Sequence, residues 1–155
     1  MKMVTKKTLN LNNNCFLIII MVENISKILE KIFQTEKSLI ITLPENVNWL
    51  DYEKEFKKTA NYKHCLNFKV HNFPRGIHKG DKCYVVYKDV IQGWMEIVDF
   101  SKETHTCSQT NKQWDSKYIQ RSGPFHYLNE KIPYKGFQGF RYFDLNEYKL
   151  QNNIK

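Results

Sequence analysis

Residues 57–82 carry seven basic side chains and only one acidic side chain. Lys69, Arg75, Lys79 and Lys82 belong to this segment, and Arg75 and Lys79 fall in its loop-like stretch, NFPRGIHKGD. Clustered cations bind phosphates and displace their counterions, so the segment predicts a contact with nucleic acid. The alternative is a solvated lysine-rich surface, since 21 lysines against three arginines are typical of compositional bias.

Aromatic side chains are concentrated towards the end of the chain. Residues 114–143 contain nine of them, and we expect most of these in a core because each ring buries a large area. Trp94 and Trp114 are the candidates for stacking on unpaired bases, since each lies beside polar or glycine positions. Stacking on an exposed ring contributes about 1–3 kcal/mol per base.

Two short segments near these rings carry groups that suit a phosphate or a base edge. In RSGPFH, a proline turn would present the Ser122 hydroxyl between Arg121 and His126. The alternative is a tight turn whose serine bonds its own backbone.

In KGFQGFRYFD, Arg141 would lie between two phenylalanines on one face of a strand. An unpaired charge is costly in a core, so Arg141 either pairs with an acid or faces solvent or a ligand.

The cysteines and histidines do not form a recognisable metal motif. Four cysteines and five histidines are present, but no two C-x(2–4)-C or H-x(3–5)-H units occur, as structural zinc sites use. We therefore predict no metal and no cofactor. The wide cysteine spacing predicts free, mostly buried thiols in a reducing compartment, with a disulfide pair as the alternative.

The N-terminus contains three lysines followed by the apolar run CFLIIIMV. This run is too short to span a membrane, and no small-residue cleavage site follows it. We therefore predict a cytoplasmic protein without membrane contact. Residues 1–20 are predicted to form a poorly ordered tail, residues 21–146 a single domain and residues 147–155 a C-terminal tail.

Hydrophobic periodicity places helices first and strands afterwards. Apolar residues at helical spacing predict a helix over 22–34, and Asn48 is a candidate N-cap for a second helix, WLDYEKEFKKTA. Strands are predicted at SLIITL, CLNFKV, KCYVVY, VIQGWMEIVDF and FQGFRYFD, with a tight Lys-Asp turn joining the third and fourth. This order predicts an α+β domain with a curled or closed sheet.

The segment KGDKCYVVYKDVIQGWMEIVDF resembles the PUA-like superfamily, which includes the PUA, ASCH and EVE domains. A Gly-Asp turn enters a hydrophobic strand, and a hairpin returns through a Gly-aromatic step; the resemblance covers roughly residues 65–144. It implies a small β-barrel with two or more N-terminal helices packed around it, and binding to RNA or to modified bases. The ASCH pattern G-x-K-x-x-E-x-R does not occur, so the resemblance supports binding more than the amidohydrolase activity of some ASCH-type members.

These observations predict a nucleic-acid-binding domain that recognises single-stranded or modified-base RNA or DNA. Phosphates would be held by Lys69, Arg75, Lys79 and Lys82, and a base would enter a pocket near Trp94, rimmed by Arg121, Ser122, His126 and Arg141. One alternative is a small amidohydrolase acting on a modified nucleoside, with Lys79, Glu96 and Thr104 as candidate side chains. Another is a protein-interaction module that docks through the helix over 22–34.

Overall fold

The structure is a computed structural model that describes Ile25 and residues 37–154. Ile25 lies in a helix, and the other described residues belong to the compact unit Glu36–Lys155. Apart from Ile25, the predicted helix over 22–34 and the predicted tail over 1–20 lie outside the described residues. The fold below is that of the compact unit.

Strands make up most of this unit. They are β1 (Ser38–Thr42), β2 (Leu66–Val70), β3 (Lys82–Tyr87), β4 (Val90–Thr106), β5 (Gln113–Pro133) and β6 (Phe140–Phe143). Two short helices accompany them: α1 (Trp49–Thr59) lies between β1 and β2, and α2 (Leu145–Gln151) follows β6. Most of α2 falls within residues 147–155, where we expected a tail.

The six strands form one mixed sheet in the order β2-β5-β4-β3-β1-β6. The β1–β3 pair is parallel and every other pair is antiparallel. A closed barrel requires its two end strands to pair, and within the described residues β2 and β6 are the two unpaired edges of the sheet. The predicted α+β fold with a curled or closed PUA-like barrel is therefore wrong: the unit is mostly β, with an open sheet.

Local sequence signals explain several of these elements. Lys88 and Asp89 join β3 to β4 with φ angles of 49° and 58°, the two positive values that a type I′ hairpin turn requires. Asn48 caps α1, since its side-chain oxygen accepts a hydrogen bond from the Leu50 N–H. The predicted hairpin and the predicted second helix are thus confirmed.

The sheet buries apolar side chains on both faces. On one face, here called the α1 face, Ile41, Val85 and Ile97 pack with Phe56 of α1. On the opposite face, here called the α2 face, Ile40, Tyr84, Val86, Ile91, Ile132 and Phe143 form a second cluster, against which Tyr148 of α2 packs. Strand alternation therefore assigns the candidate site residues that lie on strands to one of two separate surfaces.

Candidate nucleic-acid interface

The α2 face carries a ring stack built by two neighbouring strands. Trp94 on β4 and His126 on β5 are register partners, and their ring centroids lie 4.0 Å apart with an interplanar angle of 12°. The Lys82 ammonium on β3 lies 5.1 Å from the Trp94 ring centroid. Trp94 is half-buried and His126 is exposed. Three of the predicted site residues, Lys82, Trp94 and His126, therefore meet at one place.

Gly93 allows the two strands to approach closely at this stack. A methyl group added to it would lie 2.3 Å from the His126 carbonyl oxygen and 2.5 Å from the Phe125 ring. No side chain fits at such distances, so only glycine permits this strand separation. The Gly-Trp step seen in the sequence thus positions the Trp94 ring against His126.

A row of register partners connects this stack to Arg141. Arg141 on β6 pairs with Ile40, Ile40 with Tyr84, Tyr84 with Trp94, and Trp94 with His126. Ile40 and Tyr84 are buried, whereas Arg141 is exposed with its guanidinium carbon 4.3 Å from the Phe137 ring centroid. Neighbouring strands lie about 4.8 Å apart, so roughly 14 Å separates the Arg141 and Trp94 backbones. Arg141 therefore shares the face of the stack without touching it.

A polar pocket lies beside Lys82 on the same face. It has a volume of about 230 Å³ and is lined by Ser38, Lys82, Tyr84, Asp144, Leu145 and Asn146. In this pocket, the Ser38 hydroxyl donates to the Phe143 carbonyl, and the Asp144 carboxylate accepts from the Glu147 N–H. Lys82 is shared by this pocket and the ring stack, but Trp94 and the predicted rim residues Arg121, Ser122, His126 and Arg141 do not line the pocket.

Lys69 marks a second basic surface at the edge of the sheet. Alternation along β2 turns Lys69 away from buried Val70, towards the α2 face, and pairs it with Tyr118 of β5. A groove of about 410 Å³ opens there, lined by Lys69, Val70, His71, Asn72, Asp115 and Lys117. The acidic residue of this groove, Asp115, forms an ion pair of 2.8 Å with Lys102 and accepts a hydrogen bond from the Thr104 hydroxyl. Both partners lower the pKa of Asp115, with Lys102 the stronger cause.

Arg75 and Lys79 lie in the loop that follows β2. Arg75 is exposed, and its backbone N–H donates to the Tyr142 hydroxyl of β6 at 2.6 Å. The Lys79 ammonium pairs with the Asp99 carboxylate at 2.9 Å and holds the pKa of Asp99 below its usual range. The positive charge of Lys79 is therefore partly neutralised, whereas that of Arg75 is presented to solvent.

Arg121 and Ser122 are buried, contrary to their predicted position at a pocket rim. The predicted proline turn RSGPFH is wrong, because these residues continue along β5. Arg121 is 3% exposed and pairs with Ile97 and Leu66 of the α1 face, and Ser122 is 1% exposed. The Ser122 hydroxyl contacts the carbonyl oxygens of His64 at 2.5 Å and Thr59 at 3.4 Å. Ser122 thus fastens the segment after α1 to β5.

The candidate side chains for amidohydrolase chemistry lie in three separate contacts. Lys79 pairs with Asp99, and Thr104 donates to Asp115 on the distal part of the β4–β5 hairpin. Glu96 accepts a hydrogen bond of 2.9 Å from the Tyr62 hydroxyl, which raises the pKa of Tyr62. General acid–base catalysis requires such groups to converge on one substrate atom, and this arrangement does not provide that.

The structure also contains groups that sequence reasoning did not place. Lys117 and His71 line the edge groove. Lys117 lies two residues before buried Ile119 and therefore on the same side of β5, so alternation along the strand did not mark it as a site residue. Trp114, by contrast, is the second stacking candidate named from the sequence; its ring is 49% exposed and lies 5.7 Å from the His105 ring near the tip of the β4–β5 hairpin. This second stack is separate from the one at Trp94.

The described cysteines are free, and their burial differs from the prediction. Cys83 is buried, Cys107 is half-buried and Cys65 is exposed, so the expectation of mostly buried thiols is wrong for this part of the chain. Among residues 37–154, no three potential metal-ligating side chains form a cluster. None of the described helices is both long enough and apolar enough to cross a membrane.

No known protein family, curated protein or solved structure matches this chain. The resemblance to the PUA-like superfamily therefore stays a prediction, and the geometry of the α2 face carries the functional proposal.

Proposed function

We propose that this protein binds single-stranded RNA or DNA, including strands with a modified base, across the α2 face of its sheet. The observation that carries the proposal is the Trp94–His126 stack with the Lys82 ammonium beside it. Aromatic rings next to cations hold bases by stacking and by attraction to the phosphates that connect them. The net charge of +8 adds a long-range attraction for a polyanion.

Lys69 extends the proposed path of the strand beyond the stack. Its register partner Tyr118 precedes His126 by eight residues on β5. At a rise of about 3.3 Å per residue, the two positions are separated by at most roughly 26 Å. A strand that reaches both must therefore be several nucleotides long, within the range of about 4–16 nucleotides usual for single-strand binding folds. Lys69 would hold phosphates and the stack would hold a base.

The cytoplasm is the compartment that we propose for this activity. Cys65, Cys83 and Cys107 are free thiols, and a reducing compartment keeps thiols in that state.

Trp94→Ala tests the stacking contribution directly. We expect the Kd for a 12-nucleotide single strand to rise about 5- to 150-fold, which corresponds to about 1–3 kcal/mol for one base. Tyr127→Ala is the matched control, because Tyr127 is an exposed aromatic of β5 whose hydroxyl donates to Glu53 of α1 on the other face. This control should leave the Kd unchanged. If circular dichroism shows that Trp94→Ala is folded like the wild type and the two proteins bind the 12-nucleotide strand with equal Kd values, the stacking site is refuted.

Lys69→Ala tests the phosphate contact independently of stacking. For single strands, each neutralised phosphate contributes about −0.7 to the slope of log K against log salt concentration. We expect this variant to make the slope shallower by about 0.7, and to bind 4-nucleotide strands as the wild type does. An unchanged slope with the 12-nucleotide strand would remove Lys69 from the interface.

A further inference from the structure

Among residues 37–154, the core of the α1 face contains one charged side chain. Arg121 is 3% exposed, and β5 pairs it with Ile97 on one side and Leu66 on the other, both apolar. Its charge acts on the Tyr52 hydroxyl of α1 and on the Cys83 thiol of β3. Burial and these two register partners place the Arg121 side chain in the core of the α1 face, on which Phe56 of α1 also packs.

This guanidinium lacks the partners that a buried cation needs. Its Nε and Nη1 atoms are buried without any hydrogen-bond partner. Among the described residues, no ion pair and no cation–ring contact includes Arg121. Arginine keeps its charge in proteins, and taking an unpaired charge out of water is strongly unfavourable. A purely structural residue at this position would be apolar.

We propose that Arg121 anchors an internal oxyanion site, which receives the carboxylate or phosphate group of a small ligand and is closed in this structure by helix α1. The guanidinium fork matches the oxygens of carboxylates and phosphates better than any other cationic side chain does. The two nitrogens without partners are the donors for those oxygens.

The proposed route into this site passes beside Tyr52. Tyr52 is half-buried on α1, and its hydroxyl donates to the Pro44 carbonyl at 3.1 Å, in the turn that precedes the helix. At the other end of α1, the buried Thr59 hydroxyl donates to the Gly123 carbonyl at 3.0 Å. Because the Tyr52 contact is the more exposed of the two, we assign the entrance of the proposed site to that end of α1.

Nuclear magnetic resonance of the arginine side chains tests the site without a destabilising substitution. The chain has three arginines, so its Nε–Hε spectrum contains three side-chain signals, and Arg75→Lys and Arg141→Lys identify the two exposed ones. Titration with inorganic phosphate and, separately, acetate should shift the Arg121 signal in a saturable way. Both titrations are run against chloride at equal ionic strength.

Arg121→Met provides a thermodynamic test with a matched control. Wild-type Tm should rise by about 5–10 °C when the better of the two anions is present at roughly one hundred times its Kd. Arg121→Met should lack the saturable part of this rise, while Arg141→Met, which removes an exposed arginine, should retain it. Phosphate also stabilises proteins without binding, and comparing the variants removes that contribution.

The outcomes separate this site from the nucleic-acid interface. If neither anion shifts the Arg121 signal nor distinguishes Arg121→Met from the wild type, the internal site does not exist. If a single-stranded oligonucleotide shifts that signal and both free anions fail to, Arg121 belongs to the nucleic-acid interface and the small-ligand site is refuted. Binding of free anions at Arg121 supports the site even where Trp94→Ala leaves nucleic-acid affinity unchanged.

Discussion

The buried Cys83 thiol should make the fold progressively less stable at alkaline pH. Burial raises the pKa of Cys83 from its usual 9.0 to about 11, and the nearby Arg121 charge opposes this only in part. Between these two values the unfolded chain has lost the thiol proton and the folded chain has kept it. The free energy of unfolding therefore falls as pH rises through this range. For pKa values of 9.0 and about 11, the loss reaches roughly 2 kcal/mol at pH 11, where about half of the folded-state thiol is still protonated.

Urea denaturation of the wild type and of Cys83→Ala, in reductant, measures this loss. Removing the sulfur destabilises Cys83→Ala by an amount that does not depend on pH. The informative quantity is therefore how the difference in unfolding free energy between the two proteins changes with pH. Tyr52, Tyr62 and Tyr127 also have raised pKa values, but they are present in both proteins and cancel. We expect the stability difference to change by about 2 kcal/mol between pH 8 and pH 11. A constant difference would show that the fold accommodates the thiolate, with Arg121 outweighing burial.

Two further substitutions test the packing that positions the candidate site. Gly93→Ala places a methyl group 2.3 Å from a backbone oxygen of β5, so we expect it to cost at least about 2–3 kcal/mol in urea denaturation. Gly139→Ala is the control: Gly139 has φ +78° and open space around it, so this substitution should cost only about 1 kcal/mol. Similar losses of stability at both positions would contradict the close approach of β4 and β5 at Gly93. Ser122→Ala leaves the His64 carbonyl without this donor and should cost about 1–3 kcal/mol while leaving oligonucleotide affinity unchanged. If Ser122→Ala instead weakens oligonucleotide binding without changing stability, Ser122 contacts the nucleic acid, as the sequence predicted.

Features that depend on neighbouring residues could be predicted from the sequence. The Lys88-Asp89 turn is defined by two backbone angles, and the Asn48 cap by one hydrogen bond within three residues. The runs at β1, β2 and β3 show the composition of buried or half-buried strands. Such signals are local, so no knowledge of the sheet was needed to use them.

Features that depend on register could not be predicted in the same way. Pairing between β4 and β5 shifts at three places, and each shift changes which side chains reach a given face. Arg121 enters a core because β5 pairs it with Leu66 and Ile97, residues distant from it in sequence. The stack between Trp94 and His126 likewise depends on pairing across more than thirty residues. Only the assembled sheet determines these contacts.

The position of β1 within the sheet has a consequence for how the chain folds. β1 pairs with β3, which begins at Lys82, and with β6, which ends at Phe143. During synthesis, the apolar segment SLIIT therefore emerges long before either partner exists. Closing loops of this length before any contact forms is slow, and an unpaired apolar strand is prone to aggregation meanwhile. Completion of the sheet must wait for the last strand of the chain, so a ribosome-bound fragment that ends before residue 140 should leave one side of β1 unpaired.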